Sequence, residues 1–230
     1  MKKGIIGGTS FFSSDILSRG KESRFYTIYG PCDVVVADAL VFIPRHGRDG
    51  TILPHNIDHH KHIAALKKAG VEGIVSFGSV GSLKPDLKPG SVLLIDNCFS
   101  PFKLTTHRNR VFDYTVPEMV HDWRNEIAET LSSNGIKFVD GGVYAETFGP
   151  RFETAPEITY LQDYADVVGM TCASETILAQ ELKIPHSIIA IVDNFANGVV
   201  ENPLSGEAFK RGVEENRKRV ETIFSIVARM

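Results

Sequence analysis

The chain has 230 residues, of which 43% are hydrophobic and 23% are charged, and its formal net charge is −3. This is the composition of an ordinary globular protein, and the slightly acidic balance excludes a broad basic surface for nucleic acid. The longest apolar runs are of strand length, far short of the roughly 20 residues of a membrane span, and the N-terminus lacks a signal-peptide layout. Cys32, Cys98 and Cys172 are widely spaced. They predict neither a disulfide framework nor a zinc site, and we expect a cytoplasmic location.

Strand and helix patterns alternate along the chain, which predicts an α/β fold. The predicted strands are 4–6, 34–37, 40–43, 73–77, 91–95, 142–145, 167–168 and 187–192. The predicted helices are 60–69, 116–133, 156–164, 174–182 and 206–228. Gly70 is expected to end the first helix and Ser205 to cap the last one. No repeat or linker interrupts the pattern, so one domain spanning residues 1–230 is the simplest interpretation.

Two segments near the N-terminus have the composition of an anion site. In the segment 4–10, two glycines end a strand, where backbone N–H groups can approach an anion, and Thr9 adds a hydroxyl. The glycine spacing matches neither common nucleotide-binding loop. Arg45 and His46 follow the strand 40–43 and offer several donors to a phosphate dianion. The alternatives are a tight turn and a solvated basic loop.

Small and polar residues also follow two later strands, at the end where ligands gather in α/β folds. Gly78 and Ser79 come after 73–77, where we expect their backbone N–H groups to be exposed; the alternative is close packing of a strand on a helix. Met170 and Thr171 come after 167–168. Met170 can pack on a sugar and Thr171 can donate to phosphate, although a buried methionine is more often core.

A third group has side chains suited to a planar base. Phe152 can stack on a base and Glu153 can accept a ring N–H, while Asn194 carries a donor and an acceptor on one amide. The structural alternatives are a core aromatic, an acid at a helix start and a turn former.

Four histidines, His55, His59, His60 and His62, lie close together in the sequence. A metallohydrolase would add further ligands in a recognisable order, and Asp58 alone does not define a metal site. We therefore predict a polar loop entering a helix, and no metal.

Together, and in this order, these segments resemble the trimeric purine nucleoside phosphorylase and methylthioadenosine phosphorylase family. The matching stretches are 4–10, 42–48, 74–83 with Pro89-Gly90 and Ile95-Asp96, 149–154, and 166–171 with Glu175. The resemblance implies an α/β fold of one domain, with a twisted mixed sheet that is partly closed into a barrel and flanked by helices. It also implies a homotrimer or a dimer of trimers, and no cofactor, since inorganic phosphate is a co-substrate.

The resemblance also implies residue roles. The implied phosphate site is Thr9, Arg45, His46, Gly78, Ser79 and Thr171. The implied base site is Phe152, Glu153, Asn194, Phe195 and Ala196, and Met170 is the implied ribose contact. Phosphate then attacks the anomeric carbon while the purine leaves, with Arg45 and His46 holding the anion and Asn194 bonding near purine N7.

The departures from the family concern the base and the sugar. Adenine-selective relatives carry Asp at the positions of Asn194 and Ala196. An amide can accept from N7–H and donate to O6, and Glu153 can accept N1–H, so a 6-oxopurine is favoured: inosine, guanosine or 5′-methylthioinosine. Gly206 stands where relatives select the 5′ substituent, and it selects neither a hydroxyl nor a methylthio group.

Other functions stay open at this point. One is methylthioadenosine phosphorylase; others are a nucleoside hydrolase and a non-catalytic nucleoside-binding protein. Relatives have an Asn-Tyr pair in place of Asp58-His59, and the loop 100–114 fits the family poorly. Arg45 and His46 argue against hydrolysis, because a hydrolase gains nothing from an anion site.

Overall fold

The computed structural model describes residues 1–11, 20–102, 105–110, 112, 116–201 and 204–230. Within these residues the chain forms eleven strands and five α-helices. The strands are β1 (Lys3–Gly7), β2 (Lys21–Thr27), β3 (Gly30–Ala37), β4 (Leu40–Pro44), β5 (Gly73–Ser82), β6 (Val92–Leu94), β7 (Asn97–Phe99), β8 (Val139–Asp140), β9 (Val143–Glu146), β10 (Val167–Gly169) and β11 (His186–Phe195). The helices are α1 (His59–Ala69), α2 (Asp122–Ser133), α3 (Ala155–Gln162), α4 (Cys172–Glu181) and α5 (Gly206–Ala228). No described helix is both long enough and apolar enough to span a bilayer.

The strands form one mixed sheet that branches at β5. Its main path is β2-β3-β4-β1-β5-β10-β9-β7, while β11 also pairs with β5 and leads to β6 and β8. The start of β5 pairs in parallel with β1, its end pairs antiparallel with β10, and β11 runs parallel to it along its length. The predicted mixed sheet flanked by helices is confirmed, and the described strands do not close it into a barrel.

The central strands β1, β5 and β11 are buried along most of their length because helices cover both faces of the sheet. Ile5 and Ile6 are neighbours on β1, so their side chains point to opposite faces. Ile5 packs in the cluster that includes α2 and α5, and Ile6 packs in the cluster that includes α1 and α4. Both isoleucines are fully buried, and β1 is therefore held at the centre of the molecule.

Local signals fix the helix ends. The Asp58 side chain accepts a hydrogen bond from the Lys61 N–H (2.9 Å), and α1 ends at Gly70, whose φ of 74° is left-handed, as predicted. Ser205 caps α5 through the Ala208 N–H, also as predicted. Thr154 and Glu157 form a reciprocal capping box at the start of α3.

Two sequence predictions differ from the structure. The helix predicted over 116–133 starts only at Asp122, because the His121 side chain accepts from the Arg124 N–H and caps it there. The strand predicted to end at residue 77 continues as β5 to Ser82 and pairs with β11, with Gly78 opposite Ala190. On its other edge β5 pairs with β1 only as far as Ser76 and with β10 only from Gly81, so residues 77–80 have a sheet partner on one side only. The strands β2, β7 and β8 were not predicted, since they are short or exposed and lack an apolar pattern.

Candidate active site

A cleft of about 270 Å³ opens where several strands end. It brings together most of the residues that the sequence nominated. Those that line it are Thr9, Arg45, His46, Ser79, Phe152, Glu153, Met170, Thr171, Asn194 and Ala196. They come from β1, β4, β5, β9, β10 and β11, or from the residues that follow these strands, which is why residues so distant in sequence meet.

Arg45 is the charged centre of one end of the cleft, and it is only 2% exposed. Its Nε and Nη2 donate to the two oxygens of Glu175 (2.6 and 2.8 Å), and its Nη1 donates to the Phe77 carbonyl (2.8 Å). A Cβ on Gly8 would lie 2.7 Å from Nη1, so a glycine is needed for the guanidinium to lie against this loop. Burial acts to lower the pKa of Arg45, but the Glu175 carboxylate outweighs burial and holds it above its usual range. The cation is therefore permanent.

Glu175 is a site residue to which the sequence analysis gave no role of its own. It is fully buried on α4, and it also accepts from the Ser76 hydroxyl (2.6 Å) and lies 3.4 Å from His59 Nδ1. Burial raises the pKa of a carboxyl, but Arg45 outweighs it and keeps the pKa of Glu175 well below its usual range. The sequence did contain a signal for this role: Glu175 is the one charged residue in a first helical turn whose other residues are small.

His46 is positioned by its own loop. Its Nδ1 lies 2.7 Å from the Ile52 carbonyl, which can only accept, so Nδ1 carries the proton and the tautomer is fixed. Burial, and then the charge of Arg45, lower the pKa of His46. The ring is therefore neutral at neutral pH.

Thr171 completes this end of the cleft at the N-terminus of α4. It is the N-cap residue, but its side chain makes no capping hydrogen bond to the helix backbone, and its hydroxyl has only a weak contact with the Cys172 sulfur (3.6 Å). The positive end of the helix dipole favours an anion at this position. Below it, the Cys172 sulfur lies 3.5 Å from Arg45 Nη2, and burial raises the pKa of this thiol to about 12.

The other end of the cleft has groups for a flat, polar ligand. The Asn194 Nδ2 donates to the Phe195 carbonyl (2.8 Å), which leaves its oxygen available as an acceptor. Glu153 is 8% exposed and accepts from the Thr147 hydroxyl (2.5 Å). Phe152 packs edge-on against Phe209, with ring centroids 5.7 Å apart. The arrangement therefore combines an anion site with a polar and aromatic slot.

Comparison with known proteins identifies the family of this chain. The sequence model of the Phosphorylase superfamily matches residues 2–229. The chain belongs to the phosphorylase superfamily. It is 36% identical to a Dictyoglomus turgidum protein named probable 6-oxopurine nucleoside phosphorylase, over 99% of this chain and 90% of the relative. It is 37% identical to a Methanocaldococcus jannaschii protein named probable S-methyl-5′-thioinosine phosphorylase, over 94% of this chain and 88% of that one.

A solved structure shares the fold of this phosphorylase-superfamily chain. It is a double mutant of adenosine/methylthioadenosine phosphorylase from Schistosoma mansoni in complex with adenine, and it superposes with a TM-score of 0.85. The identity is 23%, and the alignment covers 98% of this chain and 90% of that one. At this identity the likeness concerns the fold.

Three nominated residues do not line the cleft. Gly78 is buried inside β5, where a Cβ would lie 3.2 Å from the Cys172 sulfur, so it fits the close-packing alternative. Phe195 acts through its carbonyl, which orients the Asn194 amide. Gly206 is the first residue of α5, and a Cβ there would meet nothing within 4 Å.

The cleft of this phosphorylase-superfamily chain also has an apolar wall that the sequence analysis missed. Its members are Ile52, Leu53, Pro54, Leu204 and Phe209. They come from a loop after β4 and from the start of α5, and no local pattern in the sequence joins those two segments.

The histidine cluster does not assemble a metal site in the described part of the chain. No three His, Cys, Asp or Glu side chains come together there in a metal-binding arrangement. His59 and His62 are buried on α1, while His55 is exposed. That the protein needs no metal stays a prediction.

Proposed function

We propose that this protein cleaves 6-oxopurine nucleosides by phosphorolysis, giving the free base and ribose 1-phosphate or its 5-methylthio analogue. One observation carries the proposal: the cleft joins an anion site, with Arg45, His46 and Thr171, to a slot that holds Asn194 and Glu153. The printed names of the two relatives, a 6-oxopurine nucleoside phosphorylase and a thioinosine phosphorylase, support it.

The proposed mechanism follows from where the charges lie. Phosphate, held by Arg45 and Thr171, attacks the anomeric carbon as the bond to the purine breaks, and positive charge develops on the sugar between them. The bonding electron pair leaves with the base, which takes up at N7 the proton that the phosphate P–O–H gives up as the sugar 1-phosphate forms. The Asn194 oxygen accepts a hydrogen bond from this N7–H and so stabilises the leaving base. Holding the anion and the sugar together removes most of the entropic cost of the bimolecular step.

Base selection is proposed to depend on Asn194 and Glu153. The second N–H of the Asn194 amide can donate to O6, and the Glu153 carboxylate can accept N1–H. Adenine presents a donor at position 6 and no hydrogen at N1, so two buried polar groups would be mismatched. The second candidate is methylthioadenosine phosphorylase, which the apolar wall at Ile52, Leu53 and Leu204 favours, because a methylthio group is apolar.

We also propose a homotrimer or a dimer of trimers. Aromatic side chains that are about half exposed cluster beside the cleft, and such a patch is typical of an interface. They are Phe102, Phe148, Tyr160 and Tyr164. Light scattering should give a mass that is a multiple of three chains, and an active monomer would contradict this.

Three free cysteines support a cytoplasmic location, which fractionation of the source cells can test.

A substrate panel tests the reaction. Inosine, guanosine, adenosine, 5′-methylthioinosine and 5′-methylthioadenosine are incubated with the enzyme with and without inorganic phosphate. We expect base release only with phosphate, unchanged by a metal chelator because no cofactor is required. Release without phosphate would indicate a hydrolase, and no release would indicate a binding protein. Faster cleavage of methylthioadenosine than of every 6-oxopurine nucleoside would favour the second candidate.

A further inference from the structure

Asp193 is a buried acid beside the cleft that the proposed mechanism does not use. It is 2% exposed and lies at an irregularity in β11, where Val192 pairs with Val80 but Asn194 pairs with Gly81. The extra residue lets Asp193 and Asn194 leave the strand toward different partners, as bulges near active sites often do. The Asp193 carboxyl receives hydrogen bonds from Ser79, which lines the cleft, and from Asn216 on α5.

The direction of each hydrogen bond in this group is determined by its neighbours. Arg219 Nη1 lies 2.7 Å from Asn216 Oδ1, and an arginine can only donate. The Asn216 Nδ2 lies 3.0 Å from the Val192 carbonyl, which can only accept. The Asn216 amide therefore has one possible orientation, and its N–H donates to Asp193 Oδ1 (2.7 Å).

Ser79 is consequently an acceptor toward the ligand. Its hydroxyl has a single hydrogen, which is donated to Asp193 Oδ2. The oxygen that remains can accept a hydrogen bond from the cleft but cannot donate one. Burial raises the pKa of Asp193, and the hydrogen bonds from Ser79 and Asn216 oppose that rise, as expected for a carboxylate held by donors.

We infer that Ser79, oriented by the Asp193–Asn216–Arg219 group, selects for a hydroxyl on the bound ligand. Two ligands of the proposed reaction carry such a hydroxyl: the phosphate dianion retains one P–O–H, and the sugar has two free ring hydroxyls. A fully ionised oxyanion such as sulfate, or a sugar that lacks the hydroxyl facing Ser79, offers Ser79 no hydrogen. Ser79 touches the ligand in this inference, and Asp193 is a positioning residue that acts through it. The inference rests on the proposed phosphorolysis.

The variant Asp193→Asn reverses the polarity of this group with almost no change in shape. The Asn216 N–H requires an acceptor, so the new amide must turn its oxygen to Asn216 and its N–H to Ser79. The Ser79 hydrogen is then released into the cleft, and Ser79 becomes a donor. Ser79→Ala removes the group altogether, and the double variant tests whether Asp193 acts only through Ser79.

The experiment has two arms, each measured on the full-length enzyme. The first compares the KM for inorganic phosphate with inhibition by sulfate. The second compares kcat/KM for a ribonucleoside with those for its 2′-deoxy and 3′-deoxy analogues. We expect the wild-type enzyme to discriminate in one arm, and Asp193→Asn and Ser79→Ala each to lose about tenfold of that discrimination. The arm that changes identifies the hydroxyl, and the double variant should match Ser79→Ala.

Several results would overturn the inference. One is that the effects of Asp193→Asn and Ser79→Ala add in the double variant. Another is that neither single variant changes the discrimination in either arm. A third is that the wild-type enzyme binds sulfate as well as phosphate and cleaves the deoxy analogues as well as the ribonucleoside. The exposed Asp86→Asn is the matched control for the chemical change, and thermal melting identifies any variant that does not fold. If Asp193→Asn is unfolded, Ser79→Ala alone decides. Absence of phosphate-dependent cleavage in the wild type would defeat the proposed function instead, so the two failures are distinguishable.

Discussion

The Arg45–Glu175 pair shows how a single buried contact serves both binding and stability. Two hydrogen bonds join the guanidinium to the carboxylate, and both side chains are almost completely buried. Removing one partner from such a pair leaves the other charge buried and uncompensated, which costs about 3–5 kcal/mol. A mutation at Arg45 therefore affects two quantities, which have to be measured separately.

Arg45→Ala should raise the KM for phosphate and lower kcat/KM, because a charge-assisted contact to a dianion is lost. The fall in kcat/KM should correspond to a loss of about 2–4 kcal/mol of transition-state stabilisation. Its free energy of unfolding, measured by urea denaturation, should fall as well. Arg48→Ala is the control from the same loop: Arg48 is about half exposed and pairs with exposed Glu22, so we expect a change of at most about 1 kcal/mol. Unchanged phosphate kinetics in Arg45→Ala would remove Arg45 from the site.

Base preference is the second property that depends on single residues. We expect the wild-type enzyme to prefer 6-oxopurine nucleosides at least about tenfold, since each mismatched buried group costs roughly 1–3 kcal/mol. Asn194→Asp combined with Ala196→Asp should shift kcat/KM toward adenosine or methylthioadenosine. The single variants are the controls, because one carboxyl in a dry pocket can stay protonated and still donate to O6. An unaltered preference in the double variant would refute this role of Asn194.

At the scale of the elements, α5 depends on one glycine to reach the sheet. A Cβ on Gly212 would lie 1.9 Å from the Asp193 carbonyl oxygen, so the helix and β11 are in direct backbone contact there. Gly212→Ala should push α5 outward, lower the free energy of unfolding by about 1–3 kcal/mol and weaken catalysis through Asn216 and Phe209. Gly206→Ala, on the same helix but in open space, should be neutral or slightly stabilising. Thermal and urea denaturation compare the two, and equal stability would contradict this packing.

The ends of the elements were the most predictable part of the molecule. Polar residues after apolar strands nominated Arg45, Thr171 and Asn194, and parallel strands bring such ends to one edge. Contacts between side chains were not predictable. Glu175 meets Arg45 across 130 positions, and Asp193 meets Ser79 because of a bulge that no local pattern records. The sequence could not place Gly78, because small residues suit both an anion loop and a tightly packed strand, and its role at the phosphate site stays a prediction.

At the scale of the whole molecule, two buried histidines make stability depend on pH. Burial is the main cause that lowers the pKa of His62 to about 3 and that of His186 to about 4, both below the usual value of about 6.5. Each is neutral in the folded protein, whereas the unfolded chain binds a proton below about pH 6.5. The free energy of unfolding should therefore fall as pH drops from about 6.5 to 4.5, by up to about 1.4 kcal/mol per pH unit for each histidine.

Urea denaturation at pH 7 and pH 5 measures this slope. Glu175 does not account for it, because a carboxyl with a lowered pKa loses its stabilising effect only below its unfolded pKa, near 4.5. His62→Asn should flatten the slope, and His55→Asn, at an exposed position, should leave it unchanged. Equal stability at the two pH values would be inconsistent with neutral buried histidines.

Cys32 and Cys172 are buried and Cys98 is half-buried, which makes all three thiols of the folded enzyme unreactive toward electrophiles. The thiolate is the reactive form, and burial raises the pKa of Cys172 to about 12 and those of Cys32 and Cys98 to about 11. Iodoacetamide and peroxide should therefore leave activity intact at pH 7.5, even though Cys172 lies against Arg45. Alkylation of the buried Cys32 and Cys172 then proceeds only from opened molecules. Its rate at these two residues, followed by mass spectrometry, therefore reports the rate of unfolding in native buffer. Labelling at the rate of a free thiol would contradict this.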